Sequence, residues 1–245
     1  MITAWQYELR EKSRASDQGD LFGRWWEELN LDIQSSTVQR ITPDTAKQII
    51  LKYEWLGTMP PFIQDCFGLY FEGPLGLTLG GAIVFSQRLE VNLKDAEHMK
   101  KTVIPPEAVY LSRGACAWWT PKNSASYMIA NAAKQMGNVS VLAYADPDAG
   151  EVGSIYQALN WVYVGPTKDH SDPSGFYVDG KFRSTRDLKM YSTKRVQAAY
   201  PQSEVKASAR KHRYLGIYGD KRWRKSMSAR MEPHALPYMN RYADE

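Results

Sequence analysis

Cys66 and Cys116 are the only cysteines among 245 residues, too few for a disulfide framework or a four-cysteine zinc site. The expected compartment is therefore a reducing one, the cytoplasm. Histidine is scarce too: His98, His170, His212 and His234 show no paired metal-ligand spacing. No stretch approaches the roughly 18 to 20 apolar residues of a membrane helix. The opening MITAWQYELREKSR lacks the apolar run of a signal peptide. There is no internal repeat and no low-complexity tract. What is present, 43% hydrophobic and 24% charged residues, is the composition of a globular chain.

The net charge of +4 is unevenly spread. Residues 181–225 hold 14 Lys or Arg against Asp187, Glu204 and Asp220, a local +11, which leaves −7 on the rest. Aromatic residues interleave with that basic segment: Phe182, Tyr191, Tyr214, Tyr218 and Trp223. Phosphate neutralisation plus aromatic contacts is a nucleic-acid footprint, although cationic surfaces are common on soluble domains.

Along the chain, residues 1–35 carry Trp5, Trp25 and Trp26 and read as an N-terminal extension with a short helix over Leu21–Leu29. Thr37–Ile41 alternates as a strand. Thr42-Pro43-Asp44 supplies a helix cap with proline at the first helical position, and the helix through TAKQIILKYEW stops at Gly57. Cys66–Glu72 and Leu77–Ser86, separated by Gly73-Pro74, read as an antiparallel pair, and residues 87–106 as a loop or short helix. Ala108–Trp118 is the next strand and Asn123–Met136 a helix. Val139–Ala145 (VSVLAYA) has the unbroken apolar character of a central strand. A short helix at Ser154–Leu159 and a strand at Trp161–Val164 follow. Gly175–Val178 enters a hairpin at Asp179-Gly180. Lys211–Tyr218 is a late strand, and Gly219–Met231 holds a basic helix. The fold class is α/β (α+β), a mixed, mostly antiparallel central sheet flanked by helices. The expected organisation is an extension (1–35), a catalytic domain (36–190) and a basic C-terminal segment (191–245) packed on that domain.

This element order, with a short helix and strand after the strongest apolar strand, resembles the GNAT acyltransferase superfamily. The stretches TPDTAKQIILKYEWLGTMP, CFGLYFEG, LSRGACAWWTPKNSASYMI, AYADPDAGEVGSIYQALNWVYVG and KHRYL resemble the phage-type, GNAT-related proteins grouped with Mom. The resemblance covers about residues 36–220, and Asp146–Gly165 and Arg113–Ser126 are its most specific blocks. It implies transfer of a carbamoylmethyl group to the exocyclic N6 amine of adenine in duplex DNA, which protects phage DNA from host restriction. An acyl-CoA-type donor and a bound iron are both within what it implies.

Tyr156 corresponds in order to the GNAT tyrosine that faces the acyl-CoA thiolate as a general acid; a phenol is protonated at neutral pH and can donate. Its plain alternative is a tyrosine packing a short helix onto the sheet. Asp146 ends the apolar strand at the carboxyl edge of the sheet, where ligands of open α/β sheets bind. It could orient the amine, accept its proton or ligate a metal, or simply be the turn aspartate before Pro147. Arg113, matched by a family arginine, lies in an apolar strand, where a buried guanidinium needs an anion such as a phosphate or Asp146. The other reading puts it on a solvent face. Lys122, Asn123 and Ser124 precede a helix and form a candidate anion site for a cofactor, or only an N-cap. The Gly-rich pyrophosphate loop of ordinary GNAT enzymes is absent there. Glu54-Trp55 stands where the family carries a His-Tyr pair tied to activity and iron. Glu54 could still be a general base or a hard metal ligand, with Asp146 as a second, or merely end its helix.

The leading expectation is a group transferase of the GNAT-related, DNA-base-modifying kind. Catalytic candidates are Glu54, Arg113, Ser124, Asp146 and Tyr156. Lys211, Arg213, Arg222, Trp223, Arg224 and Lys225 are the candidate DNA contacts, with Trp223 or another aromatic supporting an extruded base. Double-stranded DNA is the expected partner and a membrane is not; the oligomeric state, a homodimer included, stays open. Two rival readings are an acetyl-CoA-dependent N-acyltransferase of a small amine or protein, and a non-catalytic nucleic-acid-binding protein.

Overall fold

The computed structural model describes residues 4–17, 31–73, 76–87, 105, 108–167, 175–178, 181–184, 188, 190, 193–206 and 210–239. The Leu21–Leu29 helix, most of the 87–106 segment, the Asp179-Gly180 turn, His98 and His170 lie outside these residues.

Helix α1 (Trp5–Asp17) buries no side chain and is held by polar bonds instead. Arg10 donates from Nη2 to the carbonyls of Trp118 (2.8 Å) and Thr120 (2.9 Å). Asp17 accepts from the Trp118 indole at 2.9 Å and pairs with Lys52 at 3.1 Å. Part of the N-terminal extension therefore lies on the body.

The next helix, α2 (Pro43–Tyr53), starts where the sequence places it. The Thr42 hydroxyl accepts from the Thr45 N–H at 3.2 Å, and Pro43 sits in the first turn. Ala46, Ile49, Ile50 and Tyr53 fall on one helical face and pack on Cys66, Ala82, Val84, Ala115 and Ala117. Burying each isoleucine contributes about 1.5–3 kcal/mol.

The sheet beneath has seven strands: β1 (Thr37–Arg40), β2 (Ile63–Gly73), β3 (Gly76–Ser86), β4 (Val109–Cys116), β5 (Val139–Ala145), β6 (Val162–Pro166) and β10 (His212–Tyr218). Their order is β1-β2-β3-β4-β5-β10-β6, and every neighbouring pair is antiparallel except β4 and β5. Helix α3 (Ser124–Gln135) covers the face opposite α2, where Met128, Ile129, Ala132 and Ala133 meet Phe67, Leu69, Phe71, Ile83 and Phe85. With a helix on each face, β3 is apolar on both, and the 82–85 run AIVF needs no alternation. The chain continues through α4 (Ser154–Ala158) to β6, then β7 (Gly175–Val178) and β8 (Lys181–Ser184), α5 (Thr193–Ala199) and β9 (Glu204–Lys206). Strands β8, β7 and β9 form a small second sheet around Phe176, Val178 and Val196. Helix α5 carries no apolar periodicity in the sequence, because Val196 is its one buried residue.

Strand β10 enters the main sheet between β5 and β6, so the 191–245 segment supplies an internal strand. Gly216 permits this packing: a Cβ there would sit 2.3 Å from Cε2 of Trp161, whose indole lies against the strand and donates to the Tyr218 hydroxyl at 2.9 Å. Helix α6 (Lys221–Met231) is capped by Asp220, which accepts from the Trp223 N–H at 2.8 Å. It presses Met227 and Met231 inward and leaves its Lys and Arg side chains outward. Among the described residues, no helix is long and apolar enough to cross a membrane.

Candidate active site

Parallel strands β4 and β5 pair at only two positions, Val109 with Val141 and Tyr110 with Leu142. Beyond those positions they part, and a cavity of about 1080 Å³ occupies the gap. That is about the upper end of the roughly 300–1,000 Å³ of a drug-sized ligand site.

Its charged centre is assembled from distant parts of the chain. Glu54, the C-cap of α2, is 7% exposed; its Oε2 accepts from the Gly57 N–H at 3.1 Å and lies 3.9 Å from Arg113 Nε. Burial pushes the Glu54 carboxyl up to about 7, an effect that the Arg113 charge and the Gly57 N–H partly offset. Arg113 projects from β4 and donates from Nε to the Thr58 carbonyl at 2.7 Å, from Nη1 to the Ser112 carbonyl at 2.6 Å, and from Nη2 to Thr58 Oγ1 at 3.2 Å. The anion beside this nearly buried guanidinium is Glu54 rather than Asp146.

Asp146 follows β5 directly and pairs instead with Lys211 Nζ at 2.8 Å. Its Oδ1 accepts from the Asp148 N–H at 3.1 Å, an Asx turn, so the turn reading and the site reading hold together. Tyr156, on α4, lines the same cavity and stacks on Trp161 with ring centroids 5.2 Å apart. Burial raises its hydroxyl above the ordinary range, and the nearby Glu151 and Glu54 charges push the same way. Glu54, Arg113, Asp146, Tyr156 and Lys211 thus line one cavity.

Glu151 was missed from the sequence. Its Oε2 accepts from the Asp146 N–H at 3.0 Å and its Oε1 from the Trp55 indole at 3.2 Å, joining the end of β5 to the end of α2. Burial raises its carboxyl, as does the charge of Asp146, while the Asp146 N–H lowers it. A signal was available: Glu151 stands between Gly150 and Gly153, both at positive φ, one turn beyond a strand end. Glutamine offers one acceptor oxygen for two N–H donors. Glu151→Gln therefore costs about 1–3 kcal/mol in denaturant unfolding and shifts the Trp55 indole proton resonance; an unchanged stability and resonance would show that the bridge is idle.

Other candidates lie elsewhere. Lys122 and Asn123 are exposed, and Ser124 is buried with its hydroxyl donating to the Pro121 carbonyl at 2.7 Å. Asn123 is the N-cap in a left-handed conformation without a side-chain bond, and none of the three lines the cavity, which α3 meets through Ala125, Met128 and Ile129. Arg213 is spent on the Val164 and Gly165 carbonyls of β6, at 3.0 and 3.1 Å. Arg222, Trp223, Arg224 and Lys225 begin α6 just past Tyr218, the residue paired with Val139 at the start of β5. The cavity lies at the end of β5, seven residues or about 20 Å away. Trp223, with its indole nitrogen buried and unpartnered, is no platform for a base in this cavity. Of the six candidate DNA contacts, Lys211 alone lines the cavity.

The arrangement defines a mixed α/β protein with an acid–base cavity at the carboxyl edge of two parting parallel strands. A family model described as the Mom protein family matches residues 35–238, and the chain belongs to that family. Membership implies phage DNA modification, a group transfer with DNA as substrate. No curated protein matches the chain. Among the described residues no three His, Cys, Asp or Glu side chains converge as metal ligands. The cavity carboxylates already serve Arg113, Lys211 and Trp55, and His212 bonds the Tyr163 hydroxyl through Nδ1 at 2.8 Å.

Proposed function

We propose that the protein is a GNAT-related transferase that modifies the exocyclic N6 amine of adenine in DNA, so that the DNA escapes host restriction. The observation that carries the reading is the buried Glu54 carboxylate, raised to about 7 at the gap between β4 and β5. A base poised near the working pH is what removal of an amine proton requires. In the transfer step the amine nitrogen bonds the incoming carbon as the bond from that carbon to the donor's leaving atom breaks, and the amine proton passes to Glu54. Arg113 fixes the position of Glu54. Asp146, steered by Lys211, orients the amine. Tyr156, kept protonated by burial, donates a hydrogen bond to the leaving atom.

The parting of β4 and β5 supports the GNAT-type assignment, since it opens both sheet faces onto one reaction centre. The donor stays unassigned, because residues 122–124 do not line the cavity. Mass spectrometry of nucleosides from cells expressing the chain tests the proposal. A modified deoxyadenosine is expected, and unmodified deoxyadenosine throughout, beside soluble folded protein, would sink it.

A further inference from the structure

The cavity has a second arm, on the sheet face opposite α3. Phe85 and Val109 face the α3 side with Met128 and Ile129. Strand alternation therefore turns their neighbours Ser86 and Tyr110 to the other side, where Tyr110 and Tyr144 pack with Leu142 and Met231. The two tyrosine rings are 6.0 Å apart and tilted by 47°. Phe62 lines the same arm from the β2 end, next to Ile63, which pairs with Ser86.

Two features here cost the free protein stability. Phe62 is 58% exposed and holds φ at +56°, a left-handed conformation that a bulky side chain adopts at roughly 1–2 kcal/mol. Ser86 is 5% exposed, lines the cavity, and its hydroxyl has no hydrogen-bond partner among the described residues. An exposed ring held in place by its backbone and an orphaned hydroxyl are what a flat, polar-edged aromatic ligand would cover and pair. The carboxylates at the bottom are nearly closed to solvent, so a base still stacked in a duplex cannot reach them.

Resting on the DNA-modifying reading above, we propose that Phe62, Ser86, Tyr110 and Tyr144 form a subsite for the acceptor adenine after it has left the DNA stack. The ring lies against Phe62 and the tyrosines, and an edge of the base bonds the Ser86 hydroxyl. The exocyclic amine then points inward to Glu54 and Asp146.

The test uses the full chain and two probes, deoxyadenosine 5′-monophosphate and, as the anion alone, deoxyribose 5-phosphate. Ligand-detected NMR should show saturation of the adenine ring protons and no binding of the sugar phosphate. Phe62→Gly removes the ring while suiting the backbone, and Ser86→Ala removes an unsatisfied polar atom. Both variants should keep or raise Tm, with nucleotide affinity falling roughly tenfold for Phe62→Gly and roughly fivefold for Ser86→Ala. A merely structural role predicts the reverse, a lower Tm and unchanged affinity. Equal affinity in both variants, or no nucleotide binding by the wild type at 10 mM, overturns the subsite. If cellular DNA is unmodified while the nucleotide still seats on Phe62, the transferase reading fails and the subsite stands. If both variants modify DNA as the wild type does, the subsite fails and the transferase reading stands.

Discussion

Glu54→Gln lowers modification of DNA by at least about a hundredfold while the protein stays folded. The amide matches the carboxylate in shape and can still accept from the Gly57 N–H, and Arg113 keeps its bonds to Thr58 and Ser112. What disappears is the proton acceptor, and positioned general bases contribute about 10²–10⁴ in rate. The pH profile separates this from a packing defect. Wild-type activity should rise with pH through about 7 as Glu54 ionises, and the residual activity of the variant should lose that limb. A variant with wild-type turnover, or with an unaltered limb near 7, would remove Glu54 from the proton path.

Stability moves the opposite way with pH. Glu54 has an ordinary carboxyl value of 4.5 and a folded value of about 7, so protonation favours the folded state. That stabilisation is fully present below 4.5 and is lost as pH rises through 7. The difference corresponds to about 3 kcal/mol. Denaturant unfolding between pH 5 and pH 8 should therefore show the wild type losing stability toward the alkaline end more steeply than Glu54→Gln. Glu151, raised in the same direction, keeps part of the slope in both proteins. The working pH thus lies on the side where the site is costly to hold, as expected of a charge buried for reaction.

Much of this could be read locally. Thr42-Pro43 marked the start of α2, VSVLAYA marked the central strand, and Asp146 and Tyr156 follow that strand closely enough to share its carboxyl edge. Arg113 announced a buried anion, with a phosphate or Asp146 as the candidates, and the carboxylate beside it is that of Glu54. The rest depends on separations that no local pattern encodes. Glu151 finds Trp55 96 residues away, and β10 finds its slot between β5 and β6 through pairing with residues far upstream. The basic segment divides for a related reason. Composition pooled Lys211 with Arg222, Arg224 and Lys225, whereas β10 carries the chain from the cavity end of the sheet to the opposite end between them.

Gly153→Ala should be among the most damaging single-methyl additions, because it strikes the backbone and the core at once. Gly153 is the N-cap of α4 at φ +76°, so any side chain there is strained by about 1–2 kcal/mol. A Cβ would also lie 2.2 Å from Cε2 and 2.6 Å from Cζ of Tyr214. That ring cannot easily yield. It is fully buried, donates to the Val152 carbonyl at 2.6 Å, and packs against Tyr156 and Tyr163 with centroids 5.4 and 5.1 Å away. Overpacking of such a core adds about 1–3 kcal/mol, for a total of about 2–5 kcal/mol. Tm should fall by roughly 5–20 °C. Gly137→Ala is the matched control: φ is +80° there, yet a Cβ would meet nothing within 4 Å, so only the backbone strain remains. Relief of the Gly153 clash has to displace either Tyr214 or α4, and α4 carries Tyr156 three residues on. Activity should then fall further than stability alone accounts for, even at temperatures where the variant is folded. Equal melting temperatures for the two alanine variants would mean that Tyr214 does not fix α4, and that Tyr156 is held in the cavity by something other than this aromatic core.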